Sequence, residues 1–268
     1  MITFKNQKTQ KLSKAICDEG YNIPYSRFSK LLKNKEIKVD GKRINKDITV
    51  DINQTVEIYY EPELPPVNVI YEDENVVVVN KESGVFSQEQ FRAVESKYGK
   101  AYFIHRLDRN TQGLIVFALN KQSESALLKG FKERHFDKRY LATVYGIPTK
   151  KSALLTAFLF KDEKTSTVKI YDKKVLGSVE IKTAYKVIKE DENTSLLEVE
   201  LITGKTHQIR AHLAHIGHFI LGDGKYGNGE INRKLNAKEL MLKSYKLTFK
   251  FDKDSPLSYL DNRTFEIK

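Results

Sequence analysis

A single cysteine, Cys17, in 268 residues excludes an internal disulfide framework and any zinc site built from cysteines alone; it reads as a small apolar position on a helix. No apolar run approaches the ~20 residues of a membrane-spanning helix, so a bilayer is not an expected partner. The opening Met1-Ile2-Thr3-Phe4-Lys5 has neither the long apolar stretch nor the small-residue cleavage site of a secretory signal, and the expected compartment is the cytoplasm. No repeat or low-complexity tract stands out. No Gly-x-Gly-x-x-Gly or Walker pattern follows a strand, which leaves Gly204, Gly217, Gly222, Gly224 and Gly227 as turn residues and a nucleotide cofactor without support. His207 and His212 lack the i, i+4 spacing and intervening glutamate of a zincin helix, so no metal is expected.

Positive charge is what the chain has in excess. Lys and Arg number 46 against 35 Asp and Glu, a formal net charge of +11 that calls for a polyanionic partner. Eight of the basic residues (Arg27, Lys30, Lys33, Lys35, Lys38, Lys42, Arg43 and Lys46) crowd into one short stretch opposed by Glu36 and Asp40. Around them Leu12, Ala15 and Ile16 recur at helical spacing, and Ser26 caps a second helix with Phe28, Leu31 and Leu32 turned inward. Asp40-Gly41 marks a hairpin between Ile37-Lys38-Val39 and Lys42-Arg43-Ile44, with Val56-Glu57-Ile58 as a further strand. The stiff Glu61-Pro62-Glu63-Leu64-Pro65-Pro66 then separates this segment from a new apolar pattern, giving units at 1–60 and 69–268 joined by a linker at 61–68.

The second unit opens with a hairpin, Val69-Ile70-Tyr71 and Val76-Val77-Val78-Val79-Asn80. A helix follows at 121–133 and strands at 140–145, 154–160, 168–171, 178–188, 195–202 and 240–251. So many β segments with only two or three helices predict an α+β fold on a mixed, mostly antiparallel sheet. A helix over 206–216 places Ile209, Leu213 and Ile216 on a core face, with His207, Arg210, Ala211 and Ala214 opposite.

Chemistry concentrates in His105-Arg106-Leu107-Asp108-Arg109-Asn110-Thr111-Gln112-Gly113, which runs straight into the apolar Leu114-Ile115-Val116-Phe117-Ala118. A loop feeding a buried strand is a rigid mount for a functional group. One carboxylate, Asp108, stands between the guanidinium groups of Arg106 and Arg109 and suits a nucleophile better than a proton donor. Taken alone, the nine residues favour the plainer reading of a loop tidied by an ion pair.

The His-Arg-Leu-Asp run followed by a basic residue, a polar residue, Thr and Gly resembles the catalytic signature of the RluA family of pseudouridine synthases. Lys138-Arg139-Tyr140-Leu141-Ala142 is similar to the family's tyrosine motif. The stretches 201–212 and 217–227 resemble later motifs in the same order, so that the likeness runs from about Val69 to the last residue. The basic first unit resembles an S4 RNA-binding domain. The resemblance implies isomerisation of uridine to pseudouridine within RNA by an α+β pseudouridine synthase domain carrying a small N-terminal α+β S4-like domain. Asp108 would act at the glycosidic bond and Arg210 would pair with it. Tyr140 would stack on the uracil and accept a proton, Leu242 would pack against the base, and Arg106 would enter the RNA stack as the base flips out. Arg27, Lys30, Lys33, Lys38, Lys42 and Arg43 would grip RNA. Isomerisation needs no redox partner and no external energy, so no cofactor is expected. An S4-like domain is more typical of members acting on the large ribosomal subunit, which makes 23S rRNA the expected partner of a monomeric enzyme. Alternatives are the same activity on tRNA, or a non-catalytic RNA-binding or ribosome-assembly protein on this fold. The loop Lys81-Glu82-Ser83-Gly84 departs from the family pattern and is not expected in the active site.

Overall fold

Apolar spacing sets the first two helices: α1 (Leu12–Asp18) buries Leu12, Ala15 and Ile16, and α2 (Tyr25–Lys33) buries Phe28, Leu31 and Leu32. The computed structural model describes residues 1–21, 23–60, 64–133, 136–162 and 167–268. Both helices lie in a first unit, Met1–Pro66. Its strands are β1 (Ile2–Lys5), β2 (Gln10–Lys11), β3 (Ile37–Val39), β4 (Lys42–Ile44), β5 (Thr49–Val50) and β6 (Thr55–Ile58). β2 pairs with β5, and the others form an antiparallel sheet in the order β1-β6-β3-β4. Its inner face joins the helices in one core that includes Ile37, Val39, Val56 and Ile58. The β3–β4 turn has Asp40 and Gly41 both left-handed, at φ 48° and 76°, as a primed hairpin turn requires. One local expectation fails. The second helix begins after Pro24, whose fixed φ suits a helix entrance, so Ser26 lies inside the first turn and caps nothing. Cys17 lies on α1 and is exposed, because it sits 100° round the helix from Ile16, off the buried stripe. Of the expected linker at 61–68, positions 61–63 lie outside the described residues.

The second unit, Val67–Lys268, is built on a large mixed sheet. Its elements are β7 (Val69–Glu72), β8 (Val76–Lys81), α3 (Ser87–Tyr98), β9 (Tyr102–Phe103), β10 (Gln112–Ala118), α4 (Lys121–Glu133), β11 (Phe136–Tyr145), β12 (Ser152–Asp162), β13 (Thr167–Tyr171), β14 (Val179–Glu190), β15 (Thr194–Leu201), α5 (Gln208–His215), α6 (Gly229–Lys234), β16 (Leu242–Phe249) and β17 (Thr264–Glu266). The order is β13-β12-β14-β15-β11-β16-β10-β8-β7, with β17 on β16 and β9 on β10. Strands β8 and β10 are covered on both faces, which explains their unbroken apolar runs. Strands β11 and β15 alternate, turning Tyr140, Ala142, Val144, Leu197 and Val199 into the main core. Among the described residues every strand pairing is antiparallel except one: β10 and β16 run parallel over Gln112–Lys243 and Gly113–Ser244. Gly113, at φ 119°, makes that contact, since a Cβ there would lie 2.2 Å from the Ser244 carbonyl oxygen.

Helices α3 and α6 were not expected. α3 has no apolar stripe to betray it, because its buried positions include Ser87 and Gln90 beside Ala93 and Val94. The helix expected over 206–216 begins only at Gln208, and the side carrying Arg210 and Ala211 is buried as well as the core side. Gln208 through Leu213 are all buried, because α5 packs against β13 and β14. Among the described residues no helix is long and apolar enough to cross a membrane.

Candidate active site

Asp108 is fixed through its two neighbours. The buried Ser87 hydroxyl, at the start of α3, accepts the Leu107 N–H and donates to the Leu107 carbonyl, both at 3.0 Å. On the other side the Lys81 ammonium donates to the Arg109 carbonyl at 3.0 Å, and to those of Glu82 and Val85 at 2.9 and 2.8 Å. The lysine is completely buried. Burial holds its pKa down to about 8, against the opposing pull of Asp108 and Glu89. The loop after β8 therefore belongs to the site that sequence reasoning kept it out of: Lys81 and Ser87 grip both flanks of Asp108. His105 completes the mounting. Its Nε2 accepts the Val116 N–H of β10 at 3.1 Å, its ring stacks on Phe131, and burial pushes its pKa down to about 3, with Lys138 adding to the effect.

The guanidinium that meets Asp108 is neither of its sequence neighbours. Arg109 turns away, donating from Nε to the Gly84 carbonyl and lying over the Phe86 ring, and Arg106 is exposed at the cleft. Arg210 supplies the contact instead. Its Nη1 donates to Asp108 Oδ2 at 3.1 Å, while Nε and Nη2 donate to the two carboxylate oxygens of Asp223, each at 2.8 Å. Asp223 is fully covered. Burial pushes its pKa up, but the hydrogen bonds and charge of Arg210, with the amides of Lys225 and Tyr226, more than reverse this and hold it below the usual carboxylate range. Arg210 responds in kind: burial disfavours its charge, yet bonding to Asp223 and Asp108 raises its pKa. The Gln208 side chain anchors the start of α5, accepting from Thr203 Oγ1 and the Lys205 N–H and donating to the Lys182 carbonyl and Thr183 Oγ1.

These groups open onto a cleft of about 610 Å³ with Tyr140 and Leu242 in its wall. Both are buried, on adjacent strands β11 and β16. Burial pushes the Tyr140 phenol up to about 12, with Asp108 adding and a hydrogen bond to Ser244 opposing, so the hydroxyl is neutral. The other carboxylates of the cleft, Asp137 and Glu200, pair with Arg139 at 3.2 and 3.6 Å. The four histidines of the 207–218 stretch go to separate partners: Tyr226, Thr183, Asp172 and the Tyr145 carbonyl.

In the first unit Arg27, Lys30, Lys33, Lys42 and Arg43 are exposed. Lys38 is half-buried and bonded to the Tyr59 hydroxyl at 2.7 Å. Sequence reasoning passed over Lys81, Ser87, Asp223 and the His207–Tyr226 pair. Asp223 and Tyr226 stand in a quoted motif, but nothing in a linear sequence says which cation a lone aspartate meets.

Comparison with known proteins gives this arrangement a family. Residues 75–215 match the RNA pseudouridylate synthase family, a span that lies wholly in the second unit. The dual-specificity RNA pseudouridine synthase of Escherichia coli is 32% identical over 205 residues, covering 72% of this chain and 91% of that protein. Ribosomal large subunit pseudouridine synthase D of Pasteurella multocida is 28% identical over 261 residues, covering 88% of this chain and 79% of that one. Human RNA pseudouridylate synthase domain containing 1 superposes with a TM-score of 0.62 at 25% identity, covering 73% of this chain and 83% of that structure. The chain belongs to the RNA pseudouridylate synthase family and is an isomerase that converts uridine in RNA to pseudouridine.

Proposed function

We propose that this enzyme acts on 23S ribosomal RNA and that Asp108 is the carboxylate that works at the glycosidic bond. The observation that carries the assignment of Asp108 is its three-point mounting. Leu107 is held by Ser87, Arg109 by Lys81, and the side chain by Arg210, with its carboxylate in the cleft beside Tyr140. Such rigidity is spent on chemistry rather than on a surface loop. Tyr140 and Leu242 flank the uracil as a stacking surface, and Arg210 orients the carboxylate. Arg106, the exposed cation at the cleft, takes the place of the base once it leaves the stack, offsetting a flipping cost of roughly a few kcal/mol.

The first unit favours the ribosomal target. The match to the large-subunit relative covers a larger share of this chain than the second unit makes up, so it reaches into the first, whereas the 72% covered by the match to the dual-specificity relative is a smaller share than the second unit makes up. A helix and hairpin presenting Arg27, Lys30, Lys33, Lys38, Lys42 and Arg43 supply an S4-like grip on folded RNA. Pseudouridine mapping of 23S rRNA and tRNA in cells with and without the gene tests the target. Loss of a 23S site is expected, and loss of a tRNA site alone overturns the proposal. For the mechanism, Asp108→Asn keeps size and hydrogen bonding but removes charge. Single-turnover pseudouridine formation should vanish while RNA binding and melting temperature stay near wild type; a rate within tenfold of wild type would remove Asp108 from the chemistry.

A further inference from the structure

His207 takes no part in the roles assigned so far, yet the chain strains to place it. Its φ of 51° puts a bulky side chain in left-handed backbone, which residues with a Cβ rarely adopt. It occupies the N-cap of α5 without capping the helix. The imidazole turns into the cleft wall instead, with Nδ1 2.8 Å from the Tyr226 hydroxyl and the rings edge to face at 5.5 Å. The Tyr226 oxygen accepts the Val168 N–H at 3.0 Å, and we assign its own hydrogen to Nδ1, the pairing that leaves the hydroxyl both accepting and donating. The remaining proton of the neutral ring therefore stands on Nε2. Burial keeps the ring neutral, against the pull of Asp108.

Nε2 lies 3.9 Å from Asp108 Oδ2, too far for a direct hydrogen bond. An oxygen about 2.8–2.9 Å from both atoms fits between them and sees them at roughly a right angle. That oxygen must donate to a carboxylate and accept from an N–H. A hydroxyl does both, whereas the carbonyls of a uracil only accept. In a nucleotide within an RNA chain the 3′ and 5′ oxygens are esterified, and the free hydroxyl is the 2′ one. We infer that His207 Nε2 and Asp108 Oδ2 together clasp the 2′-hydroxyl of the target nucleotide, so that His207 is a specificity residue demanding ribose at the reacting position. This rests on the placement of Asp108 at the reacting sugar.

The test uses synthetic RNA stem-loops built around the uridine that mapping identifies, carrying uridine or 2′-deoxyuridine at that one position. His207→Phe should lower kcat/KM on the uridine stem-loop by roughly tenfold or more, the worth of one hydrogen bond. Its Kd for the deoxyuridine stem-loop should equal that of wild type, since no hydroxyl is there to lose. His207→Gln, whose amide also donates, should recover most of the loss. If His207→Phe weakens binding of the deoxyuridine stem-loop as much as it lowers kcat/KM on uridine, or leaves uridine turnover unchanged, the clasp is wrong. An active Asp108→Asn variant would instead overturn the assignment beneath it, so the two failures are separable.

Discussion

Asp223 holds Arg210 through both carboxylate oxygens, so the orientation of the group that faces Asp108 is delegated to a residue that never touches the cleft. Removing it should be costly in two ways. Asp223→Ala leaves a buried guanidinium half-unpaired, and we expect a stability loss of ~3–5 kcal/mol in urea melts. Asp223→Asn preserves volume and should lower the single-turnover rate by about 10²-fold with little change in RNA affinity, the pattern of a misaligned catalytic group. A normal rate in Asp223→Asn would show that Arg210 needs no orienting partner. Two histidines should contribute to the loss of stability in acid. Burial pushes His105 down to about 3 and His212 to about 4, whereas an unfolded histidine titrates near ~6.5. As pH falls below that value the unfolded chain takes up protons that the folded chain refuses. The stability supplied by the neutral rings is thus full above ~6.5 and is lost toward the folded pKa values, with a slope of about 1.4 kcal/mol per pH unit for each ring. His212→Asn should flatten the fall of urea-melt stability between pH 6 and 4.5; an unchanged slope would count against the neutral assignment. At this scale the motifs bring Asp108, Tyr140 and Arg210 to notice. The partners Lys81 and Asp223 escape it, because neither stands in a pattern that names its partner, and a buried lysine looks like any other until its carbonyl partners are known.

Among the elements, the β10–β16 contact is the most exposed to a single change. Gly113→Ala would drive a methyl into the Ser244 backbone at a φ that alanine rarely adopts. We expect a loss of ~3 kcal/mol or more in denaturant melts, together with impaired turnover, because the same strand follows directly from the Asp108 loop. Retention of wild-type stability would mean that the strands separate there at little cost. Elements with a clear period were legible: the helix over 121–133 and the strands of the large sheet lie within a few residues of where alternation put them. Those without one were not. α3 buries Ser87 and Gln90 for hydrogen bonding rather than for apolar area, and α5 is covered all round, so no amphipathic pattern marks its ends.

At the scale of the molecule, the grip on RNA proposed for the basic first unit can be tested apart from turnover. Replacing Lys30, Lys33, Lys42 and Arg43 together should weaken RNA binding and lower the slope of log affinity against log salt by ~0.7–0.9 per lost phosphate contact, with turnover of prebound RNA unchanged. An unaltered slope would assign the first unit some other task. The two-unit pattern was visible in the sequence because prolines and a break in composition mark it. The seam within the second unit was not, since parallel pairing between residues about 130 positions apart leaves no local trace. That seam has a consequence for the enzyme's birth. Asp108 precedes both of its strands, whereas Tyr140, Arg210 and Asp223 lie between them and Leu242 opens β16, so the set spans the whole stretch that the seam closes. If these residues carry the chemistry proposed for them, a growing polypeptide should stay silent until β16 has been made and is free to close against β10. Any RNA beside the nascent chain, that of the ribosome included, would be out of reach of that chemistry until then.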